Sequence, residues 1–115
     1  MDGGEQQAWV LRVYVGESTH AGHRPAWEEI MLRAHATGMA GVTVYRGIAG
    51  YGRTSHIHTT KILRLSSDLP MVVEIVDTEE RIASFRETVE QLVPDGMAIS
   101  YPVTVWFYRG REPGS

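Results

Sequence analysis

The order of the hydrophobic patterns along this chain restricts its fold more than any other feature. Strands are predicted where apolar and polar side chains alternate, or where a short apolar run lacks a helical period. These segments are 8–15, 41–46, 71–76 and 97–108. Helices are predicted from Pro25 and after Asp77, where apolar side chains recur every three or four residues. The resulting order, β-α-β-β-α-β, predicts an α+β, ferredoxin-like domain with a four-stranded antiparallel sheet and both helices on one face.

Individual residues refine this prediction within the elements. Asp77 is expected to be the N-cap of the second helix, with Glu80 completing a capping box. Pro102 has no N–H for a strand ladder, so the last strand is predicted to lie at an edge of the sheet or to carry a bulge there. Glu74 interrupts the apolar run of the third strand. Because an unpaired buried carboxylate is costly, we expect Glu74 to pair with a cation such as Arg12.

The 115 residues suit one domain with short tails. We predict a disordered N-terminal tail over 1–8, one domain over 9–108 and a C-terminal tail over 109–115. A sheet of this type leaves one face without helices, and the candidates for that face are Tyr14, Thr43 and Tyr45. Because a bare face with apolar content favours association, an oligomer is predicted.

The composition excludes several classes of protein. With no cysteine, the chain can hold no disulfide, thiol nucleophile or zinc–thiolate site. A net charge of −3 argues against nucleic-acid binding, since nucleic-acid-binding domains are usually basic. No apolar run is long enough to span a bilayer, and residues 1–5 do not resemble a signal peptide. We therefore expect a soluble, cytoplasmic protein.

The connection between the second and third strands, 47–69, is the predicted ligand-binding segment. It is far longer than a hairpin loop of about two to five residues. Between 42 and 67 there is no Asp or Glu, although four cations lie there. Glycine lets backbone amides approach a ligand, and arginine suits phosphate or carboxylate groups. The predicted ligand-binding residues are Glu17, Arg46, Gly47, Gly50, Gly52, Arg53, His56, His58, Lys61 and Arg64.

The residues alone also support two alternatives to an anion site. The basic stretch fits a solvated hairpin tip, in which Arg46 pairs with a carboxylate such as Glu17 and holds the base of the loop. His56 and His58 would point the same way in an extended segment and fit a divalent metal, with Glu17 or a histidine of the first connection as third ligand. No nucleophile and base stand out, so no catalytic residue is assigned and an enzyme is not expected.

Several strings in the chain resemble a known bacterial family. They are YVGES at 14–18, RP at 24–25, GMAGVTVYRGI at 38–48, GYG at 50–52, His56, KILRLS at 61–66, DLP at 68–70 and EIVD at 74–77. Together they are similar to the domain of unknown function 190, a branch of the PII-like proteins, over about 9–107. The most specific of them is the Ala-Gly-Val-Thr-Val-Tyr-Arg-Gly string over 40–47.

The resemblance implies the same ferredoxin-like fold and a trimer in which three sheets face inward. Classical PII proteins bind adenine nucleotides in clefts between subunits and present a long connection, the T-loop, to a target transporter or enzyme. By this resemblance 47–69 corresponds to the T-loop, and 94–96 to a second loop that contacts phosphate. Met97 follows that loop where the classical family has lysine, so another nucleotide or anion is expected to use Arg46, Arg53 and Lys61.

We therefore expect a PII-like homotrimer that senses an adenine nucleotide or another small anion and has no covalent cofactor. The resemblance implies that it signals to a partner protein, with a membrane transporter or channel as the expected class. The alternative is a metal-responsive trimer of the cation-tolerance type, which would bind a divalent cation through His56 and His58.

Overall fold

The computed structural model describes residues 1, 3–51 and 68–110, and this part of the chain contains six strands and two helices. The strands are β1 (Gln6–Gly16), β2 (His20–Ala21), β3 (Arg24–Pro25), β4 (Gly41–Arg46), β5 (Pro70–Asp77) and β6 (Gly96–Val105). The helices are α1 (Ala26–Ala36) and α2 (Glu79–Leu92). Apart from the two-residue strands β2 and β3, this is the predicted β-α-β-β-α-β order. Neither helix is long and apolar enough to cross a membrane.

The main sheet is antiparallel, with the strand order β4-β5-β1-β6. The predicted central position of β5 is confirmed, and so is the edge position of β6, where Pro102 lies opposite Trp9 of β1. The short strands β2 and β3 pair only with each other, in the connection that leads to α1. The α+β, ferredoxin-like fold is therefore confirmed, with a small ribbon added between β1 and α1.

Both helices pack on one face of the sheet and form a single hydrophobic core. Alternate residues of β5 are buried, as the period of two along a strand requires. The core combines three residues each of β1 and β5 with two from α1 and three from α2. They are Leu11, Val13, Val15, Met71, Val73, Ile75, Ile30, Ala34, Ile82, Phe85 and Val89. The helix-free opposite face carries Arg12 and Glu74, which form the predicted ion pair, with Nη2 2.5 Å from Oε2.

The sheet begins earlier in the chain than the predicted tail of 1–8 allows. Strand β1 starts at Gln6, and Ala8 is almost completely buried. Gln7 faces Thr104 across the ladder, and its Nε2 donates to Thr104 Oγ1 over 3.3 Å. Polar Gln7 is therefore compatible with a strand, because the polar Thr104 lies opposite it on β6.

The predicted last strand extends too far at its C-terminal end. Strand β6 stops at Val105, and the following aromatic residues leave the ladder. The Tyr108 hydroxyl instead donates to the Ala40 carbonyl oxygen over 2.6 Å. Residues 106–108 are therefore an irregular segment, which Tyr108 connects to the residue before β4.

The residue that caps α2 is Thr78, one position after the predicted Asp77. Thr78 Oγ1 accepts a hydrogen bond from the Arg81 backbone N–H over 3.3 Å. Asp77 is buried and its carboxylate accepts from Ala40 N over 2.9 Å, Thr78 N over 2.7 Å and Arg81 Nε over 3.0 Å. Asp77 therefore links the start of α2 to the segment that precedes β4, instead of capping the helix.

The start of β5 is packed closely between the ends of its two neighbouring strands. The Glu17 N–H donates to the Leu69 carbonyl oxygen over 2.8 Å, and the Gly47 N–H donates to the Pro70 carbonyl oxygen over 2.7 Å. A Cβ at position 47 would lie 2.8 Å from Pro70 Cγ, and one at position 16 would lie 2.7 Å from Asp68 Oδ1. Both distances are shorter than van der Waals contact, so a side chain at position 47 must displace the Pro70 ring and one at position 16 must displace the Asp68 carboxylate.

Replacing Gly47 by alanine is expected to destabilise the protein, because the new methyl group must displace Pro70. Overpacking of this kind costs about 1–3 kcal/mol of unfolding free energy. Gly41 lies in the same strand as Arg46, and a Cβ there would meet no atom within 4 Å. Urea unfolding at a fixed protein concentration should therefore show a lower midpoint for Gly47→Ala and an unchanged or slightly higher one for Gly41→Ala. Equal midpoints for the two variants would contradict the proposed packing at Pro70.

Candidate functional site

The two ends of the 47–69 connection and the turn after β1 meet at the start of β5. Strand β5 lies between β1 and β4, so the ends of these outer strands flank Pro70. Neighbouring strands are about 4.8 Å apart, which places β1 and β4 roughly 10 Å from each other. Two long side chains can span this distance, and Glu17 and Arg46 do so.

Glu17 and Arg46 form a two-pronged ion pair across the start of β5. Arg46 Nε lies 3.0 Å from Glu17 Oε2, and Arg46 Nη2 lies 3.0 Å from Glu17 Oε1. Arginine binds carboxylate or phosphate groups with this fork of two parallel N–H donors. The structural alternative for Arg46, a pair with Glu17 at the base of the connection, is therefore observed. The pair is still open to solvent, with 55% of the Arg46 side chain exposed and 27% of Glu17.

A second link joins the turn after β1 to the residues before β5. Ser18 donates to Asp68 Oδ1 through both its backbone N–H, over 3.1 Å, and its hydroxyl, over 2.8 Å. The absence of a side chain at Gly16 leaves room for this carboxylate. Ser18 and Asp68 are not among the predicted ligand-binding residues. Both residue types commonly bind backbone N–H groups, but nothing in the sequence pairs two residues that are fifty positions apart.

Four of the ten predicted ligand-binding residues are described by the structure, and they lie close together. Glu17, Arg46 and Gly47 surround the start of β5, and a Cβ at Gly50 would lie 3.2 Å from Pro70 Cγ. The side chains of Ile48 and Tyr51, between and beyond these glycines, are largely exposed. The other six predicted residues lie outside the described part of the chain: Gly52, Arg53, His56, His58, Lys61 and Arg64.

The metal alternative depends on residues that the structure does not describe. His56 and His58 lie outside the described ranges. Within 1, 3–51 and 68–110, no three His, Asp or Glu side chains are grouped closely enough to hold a metal ion. The His20 ring nitrogen Nδ1 lies 2.7 Å from the Ser18 carbonyl oxygen. In the described structure Glu17 is therefore a partner of Arg46 and His20 is a partner of the backbone.

The helix-free face of the sheet is the second surface of interest. Its cross-strand rows follow from the pairing register: Tyr45, Val72, Tyr14 and Met97 in one row, and Thr43, Glu74, Arg12 and Ile99 in the next. Arg12 also lies over the Tyr101 ring, 5.5 Å from its centroid. The hydrogen bond from Arg12 to Glu74 raises the pKa of the guanidinium further above its ordinary value. The face is thus apolar and aromatic around one central ion pair.

Comparison with protein families identifies most of the chain. Residues 8–105 match the DUF190 family, which is described as "Uncharacterized ACR, COG1993". A UPF0166 protein of Aquifex aeolicus is 41% identical over 81 residues, which cover 70% of this chain and 77% of that protein. A UPF0166 protein of Methanocaldococcus jannaschii is 37% identical over 76 residues, which cover 66% of this chain and 69% of the relative.

Comparison with solved structures identifies the fold. CPII, a nitrogen regulatory PII-like protein of Thiomonas intermedia with bound ADP, AMP and bicarbonate, superposes with a TM-score of 0.63. The identity is 14%, and the match covers 89% of this chain and 91% of CPII. A putative PII-like signalling protein of Thermus thermophilus gives a TM-score of 0.54 at 20% identity, with 96% of both chains covered. The resemblance inferred from the sequence strings is therefore confirmed: the chain belongs to the DUF190 family and has the PII-like fold.

Proposed function

We propose that this protein is a regulator that binds a small anion at the base of the 47–69 connection. The observation that carries the proposal is the guanidinium fork of Arg46, the last residue of β4, which lies where the connection leaves the sheet. Its two N–H groups have the spacing that a phosphate or carboxylate requires. An adenine nucleotide and bicarbonate are the ligands that we propose first, because CPII has the same fold and was solved with ADP, AMP and bicarbonate.

The proposed role is regulatory and not catalytic. The charged side chains that flank Pro70, Glu17 and Arg46, form an ion pair, and the proposal assigns Arg46 to the binding of an anion and not to a chemical step. We further propose that the ligand-bound protein acts on a partner in the cytoplasm, with a membrane transporter or channel as the class of partner. The exposed side chains of Ile48 and Tyr51, two and five residues after Arg46, offer an apolar contact to such a partner.

We also propose that the protein is a trimer whose subunits meet through the helix-free face. Large apolar side chains are exposed there, including Tyr45, Met97 and Ile99. Exposed apolar area of this kind favours self-association, because burial removes it from water. The charges of Arg12 and Glu74 at the centre of the face are already paired within one subunit, so their burial leaves no single charge uncompensated.

Replacing Arg46 by alanine is expected to weaken binding of ADP or bicarbonate by roughly tenfold to a hundredfold. This range corresponds to the loss of one charge-assisted hydrogen bond, which is worth about 1.5–3 kcal/mol. The control is Arg86→Ala, because Arg86 also forms an exposed ion pair, with Glu90, but lies on α2. Isothermal titration calorimetry measures both affinities, and thermal unfolding without ligand shows whether either variant is misfolded. If the Arg46→Ala variant binds ADP and bicarbonate as tightly as the wild type, Arg46 only supports the loop.

A charge on the helix-free face is expected to dissociate the trimer. Ile99 and Leu32 are equally exposed, each at 38%, but Ile99 lies on the helix-free face and Leu32 on α1, which packs on the opposite face. Ile99→Lys should therefore give a monomer in light scattering, because it places one charge from each subunit in the proposed interface, while Leu32→Lys should remain a trimer. A wild-type monomer that persists at all concentrations would rule out the trimer, and a trimeric Ile99→Lys variant would rule out this face as the interface.

A further inference from the structure

The fork of Arg46 that suits an anionic ligand is occupied by an anion of the protein itself. Both oxygens of the Glu17 carboxylate face the Arg46 guanidinium, one at Nε and one at Nη2, each at 3.0 Å. A carboxylate or phosphate group of a ligand would seek the same two N–H groups. A ligand that binds this edge of the guanidinium must therefore replace Glu17.

We propose that Glu17 is a built-in competitor of the ligand, which neutralises Arg46 in the free protein and is displaced when an anion binds. This proposal rests on the proposed function, in which Arg46 is the anion-binding residue. It assigns a specific task to Glu17: the carboxylate lowers the apparent affinity of every anion that uses the Arg46 fork by the same factor, because only the fraction of the protein with Glu17 displaced can bind.

The surroundings of Glu17 allow its side chain to leave while its backbone stays in place. The Glu17 N–H is held by the Leu69 carbonyl oxygen at 2.8 Å, and the next residue, Ser18, is held by Asp68. Neither of these contacts involves the Glu17 carboxylate. Displacement therefore requires rotation of one partly exposed side chain and leaves the strand pairing at Pro70 intact.

Displacement also changes how the ends of the strands are connected. In the free protein the ion pair is a side-chain link between the turn after β1 and the last residue of β4. A ligand that takes over Arg46 breaks this link, at the position where the 47–69 connection begins. The ligand thus alters the attachment of that connection to the rest of the domain, which provides a physical route from anion binding to the partner.

The test is the variant Glu17→Gln, which removes the negative charge and keeps the size of the side chain. If Glu17 competes with the ligand, the variant should bind ADP and bicarbonate more tightly than the wild type, by roughly twofold to fivefold, the ratio that corresponds to a partly exposed ion pair of about 0.5–1 kcal/mol. Each ligand is titrated separately into the full-length chain by calorimetry, at one ionic strength, so that the phosphate and the carboxylate-like anion are compared.

The matched control is Glu90→Gln, which changes the net charge equally and breaks the ion pair with Arg86 on α2. It should leave both affinities unchanged. The double variant Glu17→Gln, Arg46→Ala should bind each ligand no more tightly than Arg46→Ala alone, because Glu17 competes with the ligand only for Arg46. A purely structural Glu17 would instead make Glu17→Gln bind more weakly, in parallel with a lower melting temperature.

The outcomes separate this proposal from the proposed function. Equal or weaker binding by Glu17→Gln, in a protein whose wild type binds the ligand, overturns the competitor role and leaves the proposed function standing. Absence of binding by both the wild type and Glu17→Gln overturns both proposals. If the double variant binds the ligand more tightly than Arg46→Ala alone, the competitor role is overturned. The increase in affinity then does not depend on Arg46.

Discussion

The antiparallel pairing of β5 with β1 on one side and β4 on the other is the interaction on which the rest of the structure depends. This pairing places core residues such as Val13 and Val73 side by side on the face that both helices cover. The same register places Gly16 opposite Pro70 and Arg46 opposite Met71. Residues distant in the sequence thereby meet at the start of one strand. The core and the candidate site are consequences of the same pairing.

Close packing at this position explains the local sequence. Position 47 allows no Cβ, because its backbone N–H bonds to the Pro70 carbonyl oxygen while Pro70 itself fills the adjacent space. The backbone next to Arg46 is therefore fixed. The Glu17 carboxylate holds the exposed Arg46 side chain in place through the two N–H groups of its guanidinium fork. A rigid base with one displaceable side chain is well suited to sense a small anion, because little of the protein must move when the ligand binds.

The fold could be predicted from the sequence because each long element carries its own local hydrophobic pattern. The apolar run of β5 and the apolar stripe of α2 are such patterns, and the Arg12–Glu74 pair followed from one carboxylate in that run. The wrong helix cap arose because two residue types fit one role. Thr78 and Asp77 both precede α2 and both suit a cap, and only the buried position of Asp77 between Ala40 and Arg81 distinguishes them.

The candidate site was harder to predict because its members come from separate segments. The cationic stretch identified Arg46 and its neighbouring glycines, and the pair with Glu17 was one of two alternatives that the sequence could not distinguish. Asp68 and Ser18 show no periodicity or charge cluster, and their contact exists only because β1 and β5 are adjacent. Charge composition can therefore indicate a candidate segment for anion binding, but the partner of each charge depends on the strand register.

The central claim, that an anion binds at Arg46, can be tested by following the arginine side chains directly. In ¹⁵N-labelled protein the Nε–Hε signal of Arg46 is assigned by its loss in an Arg46→Lys variant, and Arg12, which is paired with Glu74 on the helix-free face, serves as internal reference. Addition of ADP or bicarbonate should shift the Arg46 signal in proportion to the bound fraction and leave the Arg12 signal in place. Saturation of the protein with ligand while the Arg46 signal stays unchanged would contradict the account.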